Sequence, residues 1–125
     1  MKALSVRQPW AWLLAMGYKP IENRTWYGSY RGRLLIHAAK TADEMSLPKI
    51  IDYYGLDIPA PEKVELKFGG VIGAVDMVDC IRVSDCKWFH GPFGFVFKNP
   101  ELLPFRACRG WLGFFDIEDA QLPLF

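Results

Sequence analysis

Lys19, Glu22 and Arg24 lie close together in a stretch that holds most of the side chains able to do chemistry. Residues 1–40 carry seven basic groups, Lys2, Arg7, Lys19, Arg24, Arg31, Arg33 and Lys40, against one acid, Glu22, a local charge of +6. Residues 41–125 hold eight Lys and Arg against thirteen Asp and Glu, so the formal net charge of +1 conceals a sharp division. Six aromatics, Trp10, Trp12, Tyr18, Trp26, Tyr27 and Tyr30, are interleaved with the basic residues. Cations beside flat aromatic faces suit a polyanion with stackable bases, because the charges attract phosphates and the rings accept a base. A basic aromatic surface of this kind can also dock acidic peptides, so a protein-interaction adaptor is a further reading.

Catalysis asks more of the same residues. Lys19 acts as a nucleophile or base only if burial or Arg24 lowers its proton affinity, and Glu22 pushes the other way by stabilising the ammonium. A lysine held by Glu22 suits phosphate binding or stabilisation of a developing oxyanion. For metal-free cleavage of RNA the available groups are Lys19, Tyr30, His37 and Lys40, with no second histidine nearby, since His90 lies in a remote turn. Metal-dependent cleavage needs clustered carboxylates, and the basic stretch has only Glu22. Neither a metal nor a cofactor is expected.

These groups need a scaffold. A chain of 125 residues, 51% hydrophobic, is long enough for one domain spanning 1–125 with a self-sufficient core. Three cysteines, Cys80, Cys86 and Cys108, form no CxxC pair; they point to a reducing compartment and to small buried hydrophobes. The start has no apolar run before Arg7, and no stretch approaches a membrane span. A soluble, cytoplasmic protein without membrane contacts is expected, and no oligomeric state follows from the sequence.

Lys2–Val6 reads as an opening strand. Gln8-Pro9 marks a boundary, followed by a helix from Pro9 to about Met16 that Gly17 closes. Trp10 and Trp12 project from different sides of that helix, one suited to the core and the other to a cleft. Ile21–Trp26 is extended and places Glu22, Arg24 and Trp26 on one face. The pattern fits a surface ion pair on a solvated strand, or a binding wall in which Glu22 holds Arg24 or Lys19. Arg33–Ala39 is apolar enough to be buried on both sides, with His37 a hydrogen-bonded core residue, ligand or base.

Thr41–Tyr54 has a helical pattern, with Thr41 and Glu44 as a capping box and Pro48 as a break. Gly55–Lys67 reads as a connector. Phe68–Val83 contains a long strand whose Gly73 marks a bend or close backbone approach, and whose Asp76 is a paired buried carboxylate or a cleft residue. Pro92–Lys98 presents Phe93, Phe95 and Phe97 on one core-facing side. Leu102–Arg106 and Trp111–Ile117 are the last expected strands, separated by a short basic link. Leu122, Leu124 and Phe125 could dock the tail. About six short strands with two or three helices make a small mixed α+β barrel the most economical architecture.

The segments SVRQPWAW, GYKPIENR and LLIHAAK together resemble the ASCH domain, whose signature GxKxxExR is filled by Gly17, Lys19, Glu22 and Arg24. The resemblance is close over residues 4–40 and compatible through the later strands. It implies a PUA-like β-barrel with a positive cleft beside the first helix that binds RNA or a nucleotide, DNA being possible. Carried over, Lys19, Glu22 and Arg24 line that cleft, joined by Arg7, Gln8 and Trp10; the basic aromatic pattern adds Trp26, Arg31 and Lys40. Some members resemble hydrolases, either ribonucleases or an amidohydrolase that removes an acetyl group from modified cytidine with a lysine, a threonine and a glutamate. On that pattern Lys19 and Glu22 are the catalytic candidates, although Glu22 stands at the threonine's place and Thr25 is out of register.

Overall fold

The computed structural model describes residues 1–118; the expectation for Leu122, Leu124 and Phe125 lies outside them. Six strands form one mixed sheet: β1 (Lys2–Val6), β2 (Ile21–Arg24), β3 (Gly32–Ala38), β4 (Gly70–Ile81), β5 (Phe93–Ala107) and β6 (Phe114–Asp116). Their spatial order is β2-β5-β4-β3-β1-β6, with β1 and β3 parallel and the other neighbours antiparallel. The sheet is curled. Phe114 of β6, at one margin, stacks on Phe95 of β5 beside the other margin, with ring centroids 5.7 Å apart. Trp26, just past β2, meets both rings edge-on at 5.1 and 5.2 Å. No ladder joins β2 to β6 among the described residues, so the expected barrel is a half-barrel closed by side chains.

β3 is buried on both sides, as its apolar run implies. Leu34, Ile36 and Ala38 join the concave core with Leu4, Val75 and Phe95, while Leu35 faces a second cluster containing Val71, Ala74 and Phe115. Helix α1 (Trp10–Met16) fills the concave side through Ala11, Leu14 and Ala15. Gly17 ends it in the left-handed conformation at φ 84°, and an added Cβ there would sit 2.8 Å from Pro100 Cγ. Helix α2 (Leu47–Tyr54) packs Leu47 and Ile50 against Leu13 of α1.

Three expectations need correction. The second helix starts at Leu47, not Thr41, with Ser46 as its cap and Pro48 in the first turn. Asp43 explains the delay: its carboxylate accepts from the Met45 N–H at 3.0 Å, and its own N–H donates to the Gln8 carbonyl at 2.8 Å. That local turn competes with helix formation, so the Thr41–Glu44 box never forms. The two strands expected at Pro92–Lys98 and Leu102–Arg106 are one, β5, which bends at Asn99 (φ 51°) without breaking. Cys86 is exposed, whereas Cys80 is buried as expected and Cys108 is half-buried.

Gly73 makes the close approach its sequence context suggests. An added Cβ would lie 2.5 Å from the Glu101 carbonyl oxygen and 2.7 Å from Ala15 Cβ, where β4 changes register against β5. Backbone cannot swing aside as a side chain does. Gly73→Ala is therefore expected to cost about 1–3 kcal/mol, read from the urea midpoint at unchanged slope.

Asp76 is paired but only half-buried, at the centre of a polar bridge across β3, β4 and β5. Asn99 donates to it at 2.8 Å and Arg33 at 3.2 Å, and Arg33 also reaches Glu101 at 2.7 Å. The Asn99 hydrogen bond is the main cause holding the Asp76 carboxyl below its ordinary range; desolvation opposes it and Arg33 adds to it. A pKa lower in the folded chain gives stability that is present above the unfolded value, about 3.9, and lost as pH falls through the folded one. Urea midpoints of Asp76→Asn should therefore fall less steeply than wild type on acidification below that range.

Candidate functional site

The curl leaves a groove of about 1120 Å³ between the end of β1, the β2 strand, the end of β3 and the segment after β5. β1 supplies Ser5 and Val6 with Arg7 following; β2 supplies Glu22, Asn23 and Arg24, with Trp26 beyond; past β3 come Lys40 and Asp43. Arg109, Gly110 and Trp111 form the facing wall.

A buried ion network forms the floor. Glu22 is 8% exposed and Lys19 5%. Lys19 donates to Glu22 Oε1 at 3.0 Å, and Arg24 Nε donates to Oε2 at 3.1 Å. The surface ion pair admitted by the sequence pattern is thus a triad with Lys19 and Glu22 buried and Arg24 half-buried, and Glu22 holds both cations rather than one. Arg24 Nη2 also donates to the Ser5 carbonyl at 2.9 Å. β1 and β2 are not neighbours in the sheet, so this bond spans the open side of the half-barrel, as the Phe95–Phe114–Trp26 cluster does with apolar contact. Every buried side-chain N or O among the described residues has a partner.

Above the floor lie the indoles. Trp10 lines the groove, with the Lys19 ammonium 4.9 Å from its ring centroid. Trp12 turns away and stacks on Tyr18 at 5.7 Å, which assigns the cleft position to Trp10. Trp26 shows the groove one side while its edge contacts hold it in the core. Trp111 is 54% exposed, and the Arg109 guanidinium lies 4.0 Å from its ring centroid. At the rim, Arg7 and Lys40 are exposed and form no ion pair among the described residues, nor does Arg109. Asp43 spends one oxygen on its own turn.

His37 is 2% exposed and fixed at both nitrogens. Nε2 lies 2.8 Å from the Cys108 carbonyl, which can only accept, so Nε2 carries the proton. In the neutral ring Nδ1 then accepts from the Ser5 hydroxyl at 3.0 Å. Gly110 lets the facing wall lie against this imidazole, since an added Cβ would be 2.6 Å from His37 Cε1. Among the described residues no three His, Cys, Asp or Glu side chains converge in a way that could hold a metal ion.

Of the residues singled out from sequence, Arg7, Trp10, Glu22, Arg24, Trp26 and Lys40 converge on the groove. Lys19 lies beneath it. Gln8 does not line it: 1% exposed, it accepts from the Trp12 N–H at 2.9 Å and donates to the Lys67 carbonyl at 3.0 Å, anchoring the start of α1. Arg31 also lies outside, bonded to the Gly28 carbonyl at 2.7 Å and the Tyr27 hydroxyl at 3.1 Å. Sequence reading missed Ser5, Asn23, Arg109 and Trp111. Arg109-Gly-Trp111 repeats the pairing of cation and indole where a link was read to meet the strand expected at Trp111–Ile117; nothing local tells that it folds back onto residues 1–40.

A family model for the ASCH domain matches residues 4–106. Over 111 residues the chain is 36% identical to activating signal cointegrator 1 of Homo sapiens, and 32% identical to that of Mus musculus. Each match covers 78% of this chain and 19% of the relative, so the chain spans about a fifth of those proteins. Among solved structures, ASCH from Zymomonas mobilis superposes with a TM-score of 0.54, covering 96% of this chain and 89% of that one at 11% identity. Two point variants of that protein give 0.55 and 0.56, covering 96% of this chain and 91% and 89% of theirs, also at 11% identity, a likeness of fold.

Proposed function

Since the chain belongs to the ASCH domain family and has its α+β half-barrel, we propose that it binds single-stranded nucleic acid, RNA before DNA, in the groove. One observation carries the reading. Arg7, Lys40 and Arg109, none with a carboxylate partner among the described residues, rim a groove lined by Trp10, Trp26 and Trp111. Charges kept without counterions suit an anion that arrives with its own, and indoles at the same mouth suit bases stripped from their stack. Lys19, Glu22 and Arg24 hold the floor on which Trp10 rests, and Arg24 presents its guanidinium to the ligand. The volume, about 1120 Å³, exceeds the usual 300–1,000 Å³ of small-molecule clefts and suits a few nucleotides.

Tryptophan fluorescence titrated with short oligoribonucleotides tests this. Quenching is expected, with log affinity falling linearly with log salt, and a DNA oligonucleotide of the same sequence should compete less well. No binding of any oligonucleotide at low salt would refute the proposal and leave the protein-docking reading of the same surface.

A hydrolytic reading has one observation in its favour: Ser5 and His37 form a hydroxyl–imidazole pair at the groove wall with the tautomer of a general base. Lys19 and Glu22, the candidates from sequence, are bonded to each other beneath Trp10 and would act only after a substrate separated them. Shortened RNA, or acetate released from an acetylated nucleoside, would support turnover. Its loss in Ser5→Ala with retention in Lys19→Ala would assign it to the Ser5–His37 pair, and the opposite pattern to Lys19.

A further inference from the structure

Outside the groove, Tyr27 stands exposed with two guanidiniums against it. Arg31 and Arg82 each lie 5.8 Å from its ring centroid, and Arg82 is also 5.3 Å from the Phe93 ring. Arg31 is fixed by the Gly28 and Tyr30 carbonyls at 2.7 and 2.9 Å and by the Tyr27 hydroxyl at 3.1 Å. Neither arginine meets a carboxylate among the described residues. Two guanidiniums without carboxylate partners at one phenol make the local potential positive, which attracts an anion.

The patch is continuous with the groove. In the β2–β5 ladder Arg24 is the register partner of Phe93, and directly opposed residues share a face of the sheet. Arg24 lines the groove, while the Phe93 ring meets Tyr27 edge-on at 6.0 Å. The patch therefore begins one side chain beyond the groove wall, and Trp26, which lines the groove, is Tyr27's neighbour in the chain.

Resting on the nucleic-acid reading of the groove, we propose that Arg31 and Arg82 form a second subsite, a clamp for a phosphodiester of the same strand as it leaves past Trp26. Tyr27 is the spacer that sets the two guanidiniums apart, and their planes offer a surface for the neighbouring base. A strand long enough to fill both subsites is held at two places, and one confined to the groove at a single place. Affinity should therefore rise in a step with length.

Fluorescence anisotropy of labelled single-stranded oligoribonucleotides of about three and about nine nucleotides tests this, the longer lying within the roughly 4–16 nucleotides that one OB fold covers on a single strand. Wild type should bind the longer more tightly. The Arg31→Gln/Arg82→Gln double variant should lose about tenfold or more on the long strand, with the log–log salt slope shallower by about 0.7 because one phosphate is no longer neutralised, and be unchanged on the short one. Unchanged short-strand binding also shows that the variant is folded. Arg31→Lys/Arg82→Lys should recover the slope. Equal losses on both lengths, or none on the long strand, would overturn the second subsite while leaving the groove standing. Failure of wild type to bind either length would overturn both.

Discussion

Replacing Glu22 with alanine is expected to cost about 3–5 kcal/mol, the range for removing one partner of a buried ion pair. The substitution takes away little apolar packing; the loss comes from what stays behind. Lys19, 5% exposed, would lose the acceptor at its amine, and Arg24 would keep only the Ser5 carbonyl. The loss should appear as a lower urea midpoint and a melting temperature lower by roughly 10–20 °C. Glu22→Gln should fall between, since an amide oxygen can still accept one of the two cations. A paired replacement, Lys19→Met with Glu22→Leu, should recover part of the stability, because apolar side chains of similar volume dispense with the desolvation of both charges while Arg24 still lacks its carboxylate. A loss below about 1 kcal/mol in Glu22→Ala would mean that the triad is solvated and works as an ordinary surface pair.

The second large effect is on binding and should leave stability untouched. Arg7→Gln, Lys40→Gln and Arg109→Gln together remove three rim cations that support no ion pair among the described residues, so the unfolding free energy from urea titration should change by no more than about 0.5 kcal/mol. Oligoribonucleotide affinity at low salt should fall about 100-fold or more, and the log–log salt slope should become shallower by about 2, near 0.7 for each phosphate of a single strand left without its cation. Trp111→Ala tests the other half of the interface. Losing one stacked base should cost about 1–3 kcal/mol of binding without changing the salt slope, since no charge is removed. A triple variant that binds as wild type does would place the ligand elsewhere.

Much of the scaffold was legible because the deciding forces act locally. The run from Leu34 to Ala38 needed no partner to declare itself buried on both sides, and Gly17 closes α1 for a conformational reason written in its own residue type. Gly73 inside a strand announced a close approach, though not that Glu101 makes it. The start of α2 was misplaced because Asp43 offers its own backbone a rival turn, and that turn is held by a bond to Gln8, far back in the chain. β5 was read as two strands, Pro92–Lys98 and Leu102–Arg106, where the chain runs on as one through the positive φ of Asn99. The site followed the same rule. Glu22 and Arg24 on β2 were found from spacing, whereas Arg109 and Trp111 reach the groove only through the order of strands in the sheet, which no local pattern encodes. Gln8 was drawn into the site by its neighbours in sequence, yet its amide is spent on holding α1 in place.

The two margins of the sheet are buttoned, not zipped. One guanidinium on a carbonyl and one group of rings join them, and no backbone ladder crosses the gap among the described residues. Any change in the slot's width would therefore fall on those fasteners, with every strand keeping its partner. Strengthening the seam and restricting what fits inside it are one and the same change.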